Sequence, residues 1–334
     1  MSSENHVYTF AKQVEGGILG GAVGDALGVP VEFMPREEMR EAPISGMLEG
    51  GTHNQPAGTW SDDTSMVLCT VESLIAHGID YSDQMARFCD WLWNARNTAH
   101  NEVFDVGGAT KQSIFRFVKG ASALECGETA ENTCGNGSLM RLFPTAMYII
   151  GQYGSTVLDD CTAEIIHNTS KCTHQHPKCQ MACGILFNVI ASLSTGSYLP
   201  YAIKDGIVTA LYYYNAKPRL SDVYHDFTFL LDIENWTEDA VKSSGYVIDT
   251  LQAALWCLYN SGSYTECVLK AVNLGGDTDT VGAIAGTLAG MWYGAEQIPA
   301  EWKKTTAKYD SIQRLSLHFY HACTDHLSHK ERDQ

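Results

Sequence analysis

Apolar positions recur at spacings of three and four along most of this chain. Within residues 64–75, Val67, Val71, Leu74 and Ile75 fall on one face of a helix. Similar stripes run through 83–93, 139–150, 178–193, 247–258, 265–272, 279–293 and 309–327. Alternating β-branched runs, the mark of strands, are scarce, and 9 prolines rarely interrupt the helical pattern. The pattern predicts an all-α protein of about ten or more helices. No Ser/Gly linker or break in composition divides it, so it predicts one domain over residues 1–334 and no repeat array.

Glycine changes that picture. Many of the 30 glycines gather within residues 16–28, 107–108, 135–137 and 275–290. A glycine inside a helix costs ~1 kcal/mol relative to alanine, so something must compensate. Two compensations are available: close approach of another helix, and close approach of backbone to a ligand.

Charge removes several classes of function. Lys+Arg total 22 against 39 Asp+Glu, a formal net charge of −17. Binding to nucleic acid by phosphate neutralisation needs a basic face, and the basic residues here are scattered. An anionic membrane surface is excluded on the same ground. The longest nearly uncharged apolar stretch, 281–295, falls short of the ~20 residues that span a bilayer. Eleven cysteines, an odd number without a CxxC pair, together with a polar beginning (Met1-Ser2-Ser3-Glu4), predict a cytoplasmic, reducing location with thiols used as small core residues.

The acidic residues are not all dispersed. Gly58-Thr59-Trp60-Ser61-Asp62-Asp63-Thr64 and Gly275-Gly276-Asp277-Thr278-Asp279-Thr280 each set two carboxylates and hydroxyls just before an apolar helical stretch. Helix capping explains one such residue per helix. The surplus fits a hard-cation site, in which Ser61, Asp62, Asp63, Asp277, Asp279 and Thr280 supply oxygens to two ions ~3.5–4 Å apart. Asp25 lies in the small-residue stretch Gly20-Gly21-Ala22-Val23-Gly24-Asp25-Ala26-Leu27-Gly28 and needs a partner there. Glu32 follows a Gly/Pro break. Thr133-Cys134-Gly135-Asn136-Gly137-Ser138 reads either as an ordinary turn or as a backbone cradle for phosphate. Cys172, His174, His176 and Cys179 could hold zinc, but their spacing matches no standard pattern.

Taken in order, these motifs, with Asp105-Val106-Gly107-Gly108 and Thr173-His174 between them, resemble those of the ADP-ribosylglycohydrolase family over residues 15–294. The resemblance implies a compact orthogonal bundle of helices with a binuclear Mg²⁺ or Mn²⁺ centre that hydrolyses α-linked ADP-ribose. It implies that Ser61, Asp62, Asp63, Asp277, Asp279 and Thr280 are metal ligands, directly or through water. It makes Glu32 a mobile glutamate beside the metals. The expected mechanism has Asp62 or Asp63 orient or deprotonate the attacking water and Glu32 act near the ribose as a gate or acid/base group. The resemblance assigns Thr133, Cys134, Gly135, Asn136, Gly137 and Ser138 to the loop around the diphosphate, His174 to substrate contact, and Asp105 and Gly107 to the neighbourhood of the pocket. Many members carry Thr where this chain has Ser61, and some carry an aromatic residue where it has Cys134. The implied partners are an ADP-ribosylated protein and the product ADP-ribose, with arginine or serine as acceptor. A non-catalytic ADP-ribose reader and a different nucleotide metallohydrolase remain open. Residues 300–330 read as a helical C-terminal extension without chemistry of their own.

Overall fold

A computed structural model of the chain describes residues 9–330. In chain order its helices are α1 (Phe10–Gly28), α2 (Arg36–Glu41), α3 (Asp62–His77), α4 (Tyr81–Asn94), α5 (Gly108–Val118), α6 (Phe143–Tyr153) and α7 (Asp160–Lys171). Then come α8 (Pro177–Ser194), α9 (Leu199–Asn215), α10 (Ser221–Tyr224), α11 (Val247–Tyr259), α12 (Tyr264–Val272), α13 (Thr278–Tyr293), α14 (Ala300–Thr305) and α15 (Tyr309–Lys330). Among the described residues there is no strand, only three isolated bridges. The fold is all-α, as the periodicity predicts.

Boundaries differ where local chemistry overrides the stripe. The pattern over 139–150 predicts a helix from Leu139, but α6 begins at Phe143. Pro144 lacks an N–H and presets a helical φ, so it sits in the first turn and not in the interior. α9 is absent from the predicted stripes.

The centre of the fold is the crossing of α1 and α13. They run antiparallel, and glycines face each other at every turn. A Cβ on Gly16 would lie 2.1 Å from the Gly290 carbonyl oxygen, one on Gly20 2.3 Å from that of Gly286, and one on Gly24 2.0 Å from that of Gly282. No side chain fits between these backbones. The close approach supplies dispersion and weak Cα–H···O contacts along the whole seam, which offsets the cost of helical glycine. α1 is therefore buried nearly all round from Gly16 to Gly28.

α15 packs on α1, α3 and α6. One large apolar cluster runs through most of the helices, with a smaller one beside α4 and α5 that includes Met85, Phe88, Trp91 and Ile114. All the cysteines are free thiols, and all but Cys89 and Cys161 are buried. No described helix is long and apolar enough to cross a membrane.

Candidate active site

The site begins with Asp25 on α1. Its fully buried carboxylate accepts hydrogen bonds from the Ser61 N–H at 2.9 and 3.1 Å, the Thr64 N–H at 3.0 Å and the Thr64 hydroxyl at 2.6 Å. These are free donors at the start of α3, so Asp25 caps that helix from outside. Burial still pushes Asp25 up to about 6 against those bonds. Ser61 also caps α3, its Oγ accepting from the Asp63 N–H at 3.2 Å. The C-terminal extension holds the approach to this turn. The Ala307 N–H donates to the Gly58 carbonyl at 2.9 Å, and the Trp60 indole N–H donates to the Ala307 carbonyl at 2.8 Å.

α13 brings the second acidic group. Gly276, at φ +76, turns the chain so closely that a Cβ would lie 2.4 Å from the Ser243 carbonyl oxygen. The Asp277 N–H then donates to that carbonyl at 2.8 Å, and the Thr278 hydroxyl ties α13 to the Gly28 carbonyl at 2.8 Å. Asp277 occupies the cap position of α13, yet its side chain makes no capping bond. One of its oxygens accepts from the Asn136 amide at 2.9 Å. Capping therefore accounts for part of the first cluster and for none of Asp277.

The two clusters, more than two hundred positions apart in sequence, meet. Asp25, Asp63 and Asp279 offer oxygens within 4.8 Å of one another, and so do Glu32, Asp277 and Asp279. Ser61 and Thr280 donate from either side to Asp63 Oδ2, at 3.2 and 3.1 Å. Asp63 Oδ1, Asp277 Oδ1 and Asp279 Oδ2 are buried without any hydrogen-bond partner. At an effective dielectric of ~20, two unit charges 4.8 Å apart repel by about 3.5 kcal/mol. Burial first, and neighbouring carboxylates next, push Asp62, Asp63 and Asp279 well above the usual carboxylate range. Burial, then Asp105 and Asp277, push Glu32 up to about 9. Unpartnered carboxylate oxygens beside hydroxyls, at the positive ends of α3 and α13, form a donor set of the kind hard cations take. The acidic residues present fit one or more divalent ions.

The cluster forms the inner end of a cavity of about 490 Å³, whose lining includes Glu32, Asp62, Asp277 and Thr280. Asp105, Gly107 and the N-terminus of α5 form one wall. Thr133, Gly135, Asn136, Gly137 and His174 form another. The loop there is pinned by a hydrogen bond from the Asn136 N–H to the Gly245 carbonyl at 3.1 Å and one from the Val247 N–H to the Cys134 carbonyl at 3.0 Å. Asp63, Asp279 and Ser61 lie deeper than the cavity surface. Two loop residues turn away from it. Ser138 Oγ is buried against Ser170 Oγ at 2.8 Å, and the Cys134 thiol is buried, donating to the Ala130 carbonyl at 4.0 Å.

The zinc reading of Cys172, His174, His176 and Cys179 fails, because these side chains diverge. Cys172 belongs to the smaller apolar cluster, and His174 lines the cavity. His176 caps α8 and pairs with Glu131, and Cys179 hydrogen-bonds the Gly135 carbonyl.

Sequence reasoning missed several residues. His53 hydrogen-bonds Glu32 and stands with Asp105 in a third possible ligand group. Phe33, at φ +64 and 64% exposed, flanks the cavity beside His53, and Phe104 packs against the same imidazole. The 243–246 segment braces both Asp277 and the 134–136 loop. The one available signal was the pair Gly50-Gly51 ahead of His53, which marks a tight turn.

Comparisons with known proteins give the family and agree with the fold. A sequence model described as ADP-ribosylglycohydrolase matches residues 7–328. The ADP-ribosylarginine hydrolase Tri1 of Pseudomonas putida is 30% identical over 310 residues, covering 92% of this chain and 78% of that protein. The ADP-ribosyl-[dinitrogen reductase] glycohydrolase of Rhodospirillum rubrum is 31% identical over 290 residues, covering 86% and 87%. A solved structure titled ADP-ribosylglycohydrolase-related protein complex superimposes with a TM-score of 0.75 at 30% identity, over 94% of this chain and 99% of that one. An all-α scaffold whose acidic clusters close one end of a cavity, matched along nearly its whole length, places this chain in the ADP-ribosylglycohydrolase family, hydrolytic enzymes that act on glycosidic ADP-ribose linkages.

Proposed function

We propose that this chain is a divalent-metal-dependent hydrolase that frees ADP-ribose from a modified protein side chain, arginine or serine. The observation that carries the reading is the set of three buried, unpartnered carboxylate oxygens, on Asp63, Asp277 and Asp279, at the inner end of the cavity. Ser61, Asp62, Asp63, Asp277, Asp279 and Thr280 are the residues that would hold two Mg²⁺ or Mn²⁺ ions. Bound there, such ions supply charge neutralisation and Lewis acidity toward a water and the hydroxyls of the distal ribose.

The chain's own residues do the rest. Hydrolysis adds water across the glycosidic bond, so one carboxylate must take a proton from the water and the leaving atom must gain one. Asp62 faces the cavity beside Gly107, a position that suits it to draw the proton from water. Glu32, hydrogen-bonded to His53, is the group we assign to the leaving side. Backbone N–H groups at the start of α5, with the Gly137 N–H of the glycine loop, suit the diphosphate, since helix N-termini and glycine loops attract anions. Arginine is the first acceptor to test, because the relatives in Pseudomonas and Serratia are named ADP-ribosylarginine hydrolases.

The test is a panel of peptides carrying ADP-ribose on arginine or on serine, assayed after EDTA stripping and after return of Mg²⁺ or Mn²⁺. The expected result is ADP-ribose as product, dependent on the added cation. Release of AMP or phosphate would indicate phosphoryl chemistry, and binding without turnover would indicate a reader; either overturns the proposal.

A further inference from the structure

Arg141 carries a guanidinium sealed inside the protein. Among the described residues it forms no ion pair, and its Nε and Nη1 have no hydrogen-bond partner. It lies over the Phe88 ring, 5.0 Å from the centroid. Its Nη2 donates to the Thr169 carbonyl and to Thr173 Oγ1, each at 2.9 Å. A cation buried without an acid is costly to keep, so its one side-chain hydrogen bond has consequences.

Thr173 Oγ1 is fully buried and touches two groups, Arg141 Nη2 and, at 2.9 Å, His174 Nδ1. A guanidinium has donors only, so the threonine oxygen accepts from it. The threonine proton then has one acceptor in reach, His174 Nδ1. Were Nδ1 to carry a proton and donate instead, the hydroxyl proton would be left buried without a partner, which folded proteins avoid. Burial, with the Arg141 charge second, pushes His174 down to about 3, so the ring carries a single proton at neutral pH. That proton belongs on Nε2. This edge lies against the glycine loop, where a Cβ on Gly137 would sit 3.3 Å from Nε2, and the ring lines the cavity.

We propose that Arg141 and Thr173 are positioning residues that hold His174 in the tautomer with its proton on Nε2, so that the ring offers a hydrogen bond to an anionic oxygen of the ligand's diphosphate. The ligand half of this proposal rests on the function proposed above, and the tautomer half does not.

The test uses the full chain with ¹⁵N-labelled histidine. His174 is assigned by its loss in His174→Gln, and its ring nitrogens are read by long-range ¹H–¹⁵N spectra at neutral pH. The expected signature is protonated Nε2 and bare Nδ1, with Nε2 shifting when ADP-ribose is added. Thr173→Val and Arg141→Met each mix the tautomers. Thr173→Val also raises the Kd for ADP-ribose about tenfold, the worth of one ordinary hydrogen bond. KM rises with it while kcat changes little, and Thr173→Ser restores both spectrum and affinity. A protonated Nδ1 in the wild-type protein, a reading that needs no variant to fold, overturns the proposal. So does a tautomer unchanged in both variants. An Nε2–H ring that ADP-ribose leaves unperturbed keeps the positioning role and overturns the ligand reading.

Discussion

Alanine introduced at the two ends of the α1–α13 seam separates what the seam does for stability from what it does for the site. At Gly16 the new Cβ would lie 2.1 Å from the Gly290 carbonyl oxygen, and at Gly28 it would lie 2.4 Å from the Asp279 Cα and N. An ordinary contact is about 3.4 Å or more, so each substitution forces the helices apart locally by about 1 Å. Neither neighbour is a side chain that can rotate away. Overpacking of this kind costs ~1–3 kcal/mol, and both variants should lose that much in urea unfolding. Their activities should differ. Gly16 and Gly28 are twelve residues apart, ~18 Å along a helix, so the first insult is remote from the carboxylates and the second moves Asp279 itself. A 1 Å displacement of a reacting group costs on the order of 100-fold in rate. Gly28→Ala should therefore lose about 100-fold in kcat/KM for cation-dependent ADP-ribose release and bind the cation more weakly. Gly16→Ala should stay within a few-fold of wild type. Equal loss of activity in the two variants, or wild-type stability and activity in Gly28→Ala, would refute the reasoning.

Other outcomes follow from the same geometry. Asp279→Asn removes one like charge from a group whose oxygens lie within 4.8 Å of one another, so the EDTA-treated variant should show a higher urea midpoint than wild type. It should also lose the thermal gain on Mg²⁺ addition and the release of ADP-ribose, with far-UV circular dichroism unchanged; retained activity would remove Asp279 from the centre. Asp25 is pushed up to about 6 and Glu32 to about 9, above the carboxyl range of an unfolded chain, so the folded, cation-free protein binds more protons than the unfolded one. Its melting temperature should fall as pH rises from 5 to 9, and saturating Mg²⁺ should abolish most of that slope; a rising curve contradicts the burial argument. Gly137→Ala would place a Cβ 2.7 Å from His174 Cε1, so isothermal titration should show ADP-ribose binding weakened about tenfold or more while the urea midpoint holds near wild type.

Much of this was legible in the chain. The stripe at 64–75 became α3, extended to Asp62–His77 because Ser61 and Asp25 cap its start. Not every stripe position is buried: Ile75 is 37% exposed, because α3 turns its last turn outward. The glycine clusters had two readings. Those on α1 and α13 resolve to helix approach, and Gly135 and Gly137 to the cavity wall. The Asp/Ser/Thr clusters announced oxygen-rich sites by composition. Their convergence was not local information, since it depends on how α1 carries Asp25, and the turn after it Glu32, past α13. His53 and the 243–246 brace escaped for the same reason: their neighbours in sequence have ordinary turn composition, and only tertiary contact gives them a task. Arg141 falls in the stripe over 139–150, where a basic residue reads as surface until its burial is seen.

The bond between Ala307 and Gly58 also has a consequence for synthesis. One carboxylate set is made within the first 63 residues and the other near residue 279, while the segment that pins the first turn emerges only at about residue 307. A ribosome-bound chain therefore carries the first half-site alone for most of its elongation. Contacts of such long sequence separation form late. The acidic centre should close only as the last helices dock, so incomplete translation products remain inert toward both cation and ADP-ribose.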